Sequence, residues 1–152
     1  MTHTVATIGY EGATIREVVE TLQDAKVQLL VDVRAVAMSR RPGFAKTRLS
    51  ANLAEGGIDY VHLRGLGTPA EGRAEARAGR HEEMRRIFLE HMQGEVAQTD
   101  LATLASIVEG GKRVCLLCFE ADPLHCHRLL VADALSRVTE IEVTHLRPDT
   151  DD

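Results

Sequence analysis

The sequence predicts one three-layer α/β domain over residues 1–148, built on a mostly parallel sheet of about five strands, with residues 149–152 as a frayed acidic tail. Three observations carry that expectation. Short apolar runs alternate with stretches of helical period almost throughout, the pattern of an open parallel sheet covered by helices on both faces. A chain of 152 residues with 44% apolar content suffices for one core but not for two independent ones. Four of the runs also finish in polar or glycine-rich sequence, and in such sheets ligands bind outside the carboxyl ends of the strands.

Thr4 to Tyr10 reads as the first strand, closed by a Gly9-Tyr10-Glu11-Gly12 turn whose glycines allow close backbone approach to a partner. Thr14 and Glu17 have capping-box spacing, and Ile15, Val18, Val19 and Leu22 follow at helical intervals, so a helix runs to about Lys26. Gln28 to Arg34 is the second strand, with Asp32 and Arg34 on one face at its carboxyl end. Ala35 to Lys46 contains Ser39-Arg40-Arg41-Pro42-Gly43-Phe44, has no period, and reads as a basic loop that is either solvated or in contact with a ligand. A short helix from about Thr47 to Glu55 stops at Gly56-Gly57.

Ile58 to Leu63 is the third strand, ending at His62 and Arg64 before Gly65 and Gly67. Thr68 to Arg80 lacks an apolar face and is expected as a mobile loop or frayed helix with solvated arginines. Glu82 to Gln93 and Asp100 to Glu109 carry core-facing stripes, Met84, Ile87 and Phe88 in the first and Leu101, Leu104 and Val108 in the second, with His91 at the boundary of the first. Glu140 to Leu146 is the last strand.

The densest stretch runs from Arg113 to Arg128. Arg113 to Phe119 is an apolar, β-rich run that reads as a strand buried on both faces. Asp122-Pro123 signals a helix start, because an Asp side chain accepts from free backbone N–H groups and proline at the first helical position loses only an unpartnered donor. From there His127, Leu130, Val131, Ala134, Leu135 and Val138 fall on one helix face. Cys118, Glu120, Cys126, His127 and Arg128 then surround the turn between strand and helix.

Composition narrows the function classes. A net charge of −5 argues against a general nucleic-acid binder, and two Tyr, three Phe and no Trp leave little to stack on bases. Yet 15 of the 18 basic residues are arginine, which suits bidentate anion contacts. With no charged-then-apolar leader and no apolar run near the ~20 residues that span a bilayer, a cytoplasmic location without membrane contact is expected. Three cysteines form no disulfide framework, so they read as free thiols, metal ligands or nucleophiles.

Thr7-Ile8-Gly9-Tyr10, Val31-Asp32-Val33-Arg34, the Ser39 to Phe44 loop, Tyr60-Val61-His62-Leu63, Leu116 to Glu120 and Cys126-His127-Arg128 together resemble the family known as domain of unknown function 488. That resemblance runs over nearly the whole chain and implies a Rossmann-like α/β domain in a cytoplasmic protein of unsettled activity. A looser similarity is to rhodanese-like sulfurtransferases, which would make Cys118 a nucleophile. It fails where Glu120 and Asp122 replace a loop of amides closed by an arginine, since carboxylates repel a persulfide or phosphate.

The residues support more than one chemistry. Cys118 with His127 can form a reactive pair if a neighbouring cation or helix terminus lowers the thiol pKa, against a reading as a buried small hydrophobe. Cys115 and Cys118 face opposite sides of a strand and do not form a redox pair. No residue is assigned to a metal, but Cys118, Cys126 and His127, with His125 or His62, offer thiolate and imidazole groups suited to Zn²⁺ if the helix starts late enough for neighbouring residues to converge. Glu120 and Asp32 are candidate acid, base or orienting carboxylates, with a structural ion-pair network as the competing reading. The leading expectation is a strand-end site that binds or acts on a phosphorylated compound, a nucleotide or nucleic-acid part. Arg34, Arg40, Arg41 and Arg128 would serve as anion clamps, and Gly9, Tyr10 and Cys126 would line the site. Rhodanese-like thiol chemistry, a metal site and a non-catalytic regulatory module are the alternatives. Whether the protein is an enzyme and which cofactor it uses stay open, and a homodimer is compatible with the sequence.

Overall fold

Among the described residues five strands, β1 (His3–Gly9), β2 (Leu29–Asp32), β3 (Asp59–His62), β4 (Val114–Cys118) and β5 (Ile141–Leu146), form one parallel sheet in the order β3-β2-β4-β1-β5. This computed structural model describes residues 2–148, so the tail at 149–152 lies outside the described residues. β4 lies at the centre between β2 and β1, and every one of its residues is buried, as a strand covered on both faces requires. The molecule is a Rossmann-like α/β domain.

Among the described residues there are six α-helices: α1 (Ile15–Asp24), α2 (Lys46–Glu55), α3 (Ala70–Arg77), α4 (His81–His91), α5 (Glu95–Glu109) and α6 (Arg128–Ser136). On one face Val18 and Leu22 of α1 and Leu49 and Leu53 of α2 pack against Ile8, Leu30 and Leu117. On the other, Phe88 of α4, Leu104 of α5 and Val131 of α6 pack against Val5, Val31 and Leu116. Each of these leucines is essentially water-free, and burying one contributes about 1.5–3 kcal/mol. Alternate residues of β4 therefore serve opposite cores, Cys115 in the first and Cys118 in the second. Among the described residues no helix is long and apolar enough to cross a membrane.

Local chemistry explains some of the element ends. The capping box at α1 is complete: the Glu17 N–H donates to Thr14 Oγ1 at 3.1 Å and the Thr14 N–H to Glu17 Oε1 at 2.7 Å. Behind α2, Gly57 takes φ +79°, which a side chain would oppose.

Two segments differ from expectation, while of the loop or frayed helix expected over Thr68 to Arg80 the helix forms, as α3 at Ala70–Arg77. Its only buried residue is Gly72, where an added Cβ would come 2.5 Å from Thr68 Cγ2, so tight packing replaces the missing apolar stripe. Helix α5 starts at Glu95 rather than Asp100; Ala97 continues the buried stripe, while Val96, 64% exposed, hides the period. Asp122-Pro123 opens only a 3-10 turn, Pro123–His125, with Asp122 Oδ1 accepting from the Leu124 N–H at 2.9 Å. Cys126 then leaves helical space at φ −125°, ψ 145°, and α6 begins at Arg128. Val138 falls beyond the helix and is 56% exposed.

Candidate functional site

The carboxyl ends of β1, β2 and β4 meet at one edge of the sheet, where Gly9 lies beside Cys118 and Asp32 beside Leu117 in register. Asp32 is fully buried and Arg34 nearly so. Arg34 reaches both carboxylate oxygens of Asp32, and its Nη1 donates to Phe44 O at 2.8 Å and to the Tyr10 hydroxyl at 3.2 Å. Tyr60 Oη also donates to Asp32 Oδ2 at 2.6 Å. These partners occupy both groups, which fix the floor of the rim as a buried network. Tyr10 stacks on Phe44 at 4.3 Å and meets Phe119 edge-on at 5.4 Å.

Arg128 is buried at the start of α6. Its Nε donates to Thr7 Oγ1 at 3.1 Å, Nη1 to Cys118 Sγ at 3.2 Å and to Glu120 O at 2.5 Å, and Nη2 to Ala121 O at 3.1 Å. It thus fastens the loop after β4 to the helix. Gly9 is required by the same arrangement, since a Cβ there would overlap Glu120 O. The loop amide of Ala121 donates to Glu11 Oε1 at 3.0 Å, so a carboxylate already occupies that donor. Burial, reinforced by the Glu11 charge, raises the Glu120 pKa although Arg128 opposes the shift.

Cys118, Cys126 and His127 converge, all buried, with their two sulfurs and an imidazole nitrogen within 4.8 Å of one another. The late start of α6 makes this convergence available. The Cys118 and Cys126 sulfurs are in bonding contact, a disulfide pairing where the sequence reads free thiols, ligands or nucleophiles, and their Cα atoms stand 7.2 Å apart. His127 Nε2 is 2.6 Å from Val33 O, a contact that needs its proton on Nε2 and leaves Nδ1 facing Cys126 Sγ at 3.8 Å. Phe88 packs on the ring at 5.5 Å, and burial pushes its pKa down to about 4. His62 is elsewhere, with Nε2 against Arg34 O at 2.7 Å, and the His125 side chain lies outside the described residues.

A cavity of about 610 Å³ opens over this rim, lined among others by Tyr10, Cys118, Glu120 and His127. A protein-family model described as "Domain of unknown function DUF488" matches residues 14–135. The chain belongs to the DUF488 family. No match is found among curated proteins or among solved structures. The DUF488 match includes β4, the Cys126 to Arg128 segment and α3, and leaves β1 and β5 outside its span.

In this DUF488 chain Arg73 and Arg77, one turn apart on α3, line the same cavity. Sequence reading missed them, and their i,i+4 spacing was the one available signal. Of the four arginines expected as clamps, only Arg34 lines the cavity. Arg40 is exposed on its loop, and Arg41 Nη2 donates to Ala13 O.

Proposed function

We propose that the strand-end cavity binds and acts on a small phosphorylated compound, a nucleotide or nucleic-acid part. The observation that supports this reading is the shared lining of one cavity by Arg73 and Arg77 together with Glu120, Cys118 and His127. Guanidinium groups suit phosphate oxygens through paired N–H donors, and these two stand on a regular helix that holds their spacing. Glu120 is the acid or base: burial raises its pKa above the ordinary carboxyl value, the direction that suits a carboxyl exchanging a proton with a leaving group. Asp32, Arg34 and Arg128 act as the frame, because they hold one another and the loop backbone.

The test is calorimetric titration with inorganic phosphate and with nucleoside mono- and diphosphates. Replacing Arg73 and Arg77 by Ala is expected to weaken binding at least tenfold, about 1.4 kcal/mol, without lowering the melting temperature. Equal affinity in wild type and variant sinks the reading. Loss of turnover with retained binding in Glu120→Gln marks an enzyme, whereas binding without turnover in the wild type marks a regulatory module.

A second reading is rhodanese-like thiol chemistry at Cys118, favoured by the Arg128 N–H on its sulfur, which would stabilise a thiolate once the contact with Cys126 is opened by a thiol reductant. Glu11 on the Ala121 amide stands against it, because that donor would be needed for a bound anion. Alkylation of Cys118 followed against pH decides it: the reading requires a thiolate well below the usual value of about 8.5.

A further inference from the structure

We propose that Cys118, Cys126 and His127 form a Zn²⁺ site whose fourth coordination position opens onto the strand-end cavity. The inference deepens the function proposed above by naming the metal at the same site, but it stands on its own geometry.

Two thiolates and an imidazole are the donor set preferred by Zn²⁺, and three protein ligands with one open position are the arrangement of catalytic rather than structural zinc. The three donor atoms lie within 4.8 Å of one another, a span that one ion can bridge. Cys118 and His127 line the cavity, so the open position faces a ligand there. Glu120 Oε2, 3.7 Å from Cys118 Sγ, is placed to meet a water or substrate held at that position.

The surroundings are those of a metal centre. The Val33 carbonyl, a usual outer partner of a ligating histidine, accepts from His127 Nε2–H, which orients the ring and leaves the Nδ1 lone pair for the ion. Arg128 donates to the Cys118 sulfur, and among the described residues none of its side-chain hydrogen bonds goes to a carboxylate. A buried guanidinium calls for nearby negative charge, which a coordinated thiolate supplies. Each thiol gives its proton to solvent as its sulfur bonds the ion, so two thiolates balance the 2+ charge.

A disulfide between the same cysteines is the competing state. Ordinary disulfides hold their Cα atoms about 4.4–6.8 Å apart, and wider pairs need backbone movement to close. Cys118 and Cys126 stand at 7.2 Å, one on β4 and the other beside α6, which Arg128 ties together. A Cα separation that wide leaves the two sulfurs room to part and hold an ion between them.

The experiment is elemental analysis of the full chain purified anaerobically without chelator, with thiols counted after denaturation and chelation. The expected result is about one zinc per chain and all three thiols free. Cys118→Ser and Cys126→Ser should lose the metal, and His127→Cys should keep it. Because a serine variant can lose metal through misfolding, the wild type is also loaded with Co²⁺ alone. Thiolate-to-cobalt charge transfer with intense tetrahedral d–d bands supports the site. A chain that takes up neither metal overturns it, as does a thiol count of one that rises to three only with reductant. Zinc uptake without phosphate binding would leave this site standing and remove the phosphorylated substrate.

Discussion

Arg34 grips Asp32 with two parallel hydrogen bonds, Nε to Oδ1 at 2.9 Å and Nη2 to Oδ2 at 2.7 Å, at the buried end of β2. Asp32→Ala strands the guanidinium without its counter-charge and is expected to cost about 3–5 kcal/mol in denaturant unfolding. Replacing both residues together, Asp32→Leu with Arg34→Met, should cost much less than the two single changes added. Strict additivity would show that the pair is not coupled.

Gly9→Ala is expected to destabilise by more than the usual effect of a surface substitution, because the new methyl meets the Glu120 carbonyl and lies 3.0 Å from Arg128 Nη1. The loop must shift, so Glu120 leaves its place above Cys118. Hydrogen exchange at residues 119–122 should quicken in the variant. Unchanged exchange and unchanged stability would sink the close-approach argument.

Cys115 lies in the core between α1 and the sheet, and burial raises its thiol pKa, with Arg128 opposing. It should resist alkylation in the native protein at mildly alkaline pH and react only on unfolding. Rapid native modification at Cys115 would contradict its placement.

His145 on β5 meets the Thr7 hydroxyl at 2.5 Å, and that hydroxyl accepts from Arg128. Burial, followed by the charges of Arg128 and Arg147, holds the His145 pKa below the usual imidazole value. The unfolded chain therefore takes up this proton first as pH falls. The contribution of His145 to stability is complete above about pH 6.5 and is lost as pH drops through the lower folded value. An NMR titration that placed native His145 above the usual imidazole value of about 6.5 would reverse the sign.

Much of the fold was legible because its signals are local. The continuous apolar run at β4, the Thr14–Glu17 box and the double glycine after α2 each name their own structure. The strand order was not, since β1 pairs with residues more than a hundred positions away and no period encodes that. Helix α3 was hidden because Gly72 replaces an apolar stripe, and with it went Arg73 and Arg77. At the site, same-face spacing brought Asp32 and Arg34 together, but only the surrounding Tyr10, Phe44 and Tyr60 contacts show that they are occupied by the fold. The late start of α6 follows from Cys126 turning inward, a tertiary demand that overrides the Pro123 signal.

The position of β1 between β4 and β5 bears on how the protein is made. The ribosome releases β1 first and its two partners last, so β1 waits unpaired through the synthesis of β2, β3 and five helices. Such long-range pairing slows closure of a sheet and leaves an apolar strand open to association in the interval. Val5 and Ile8, both without solvent contact in the finished fold, are then the residues a chaperone would meet on the nascent chain.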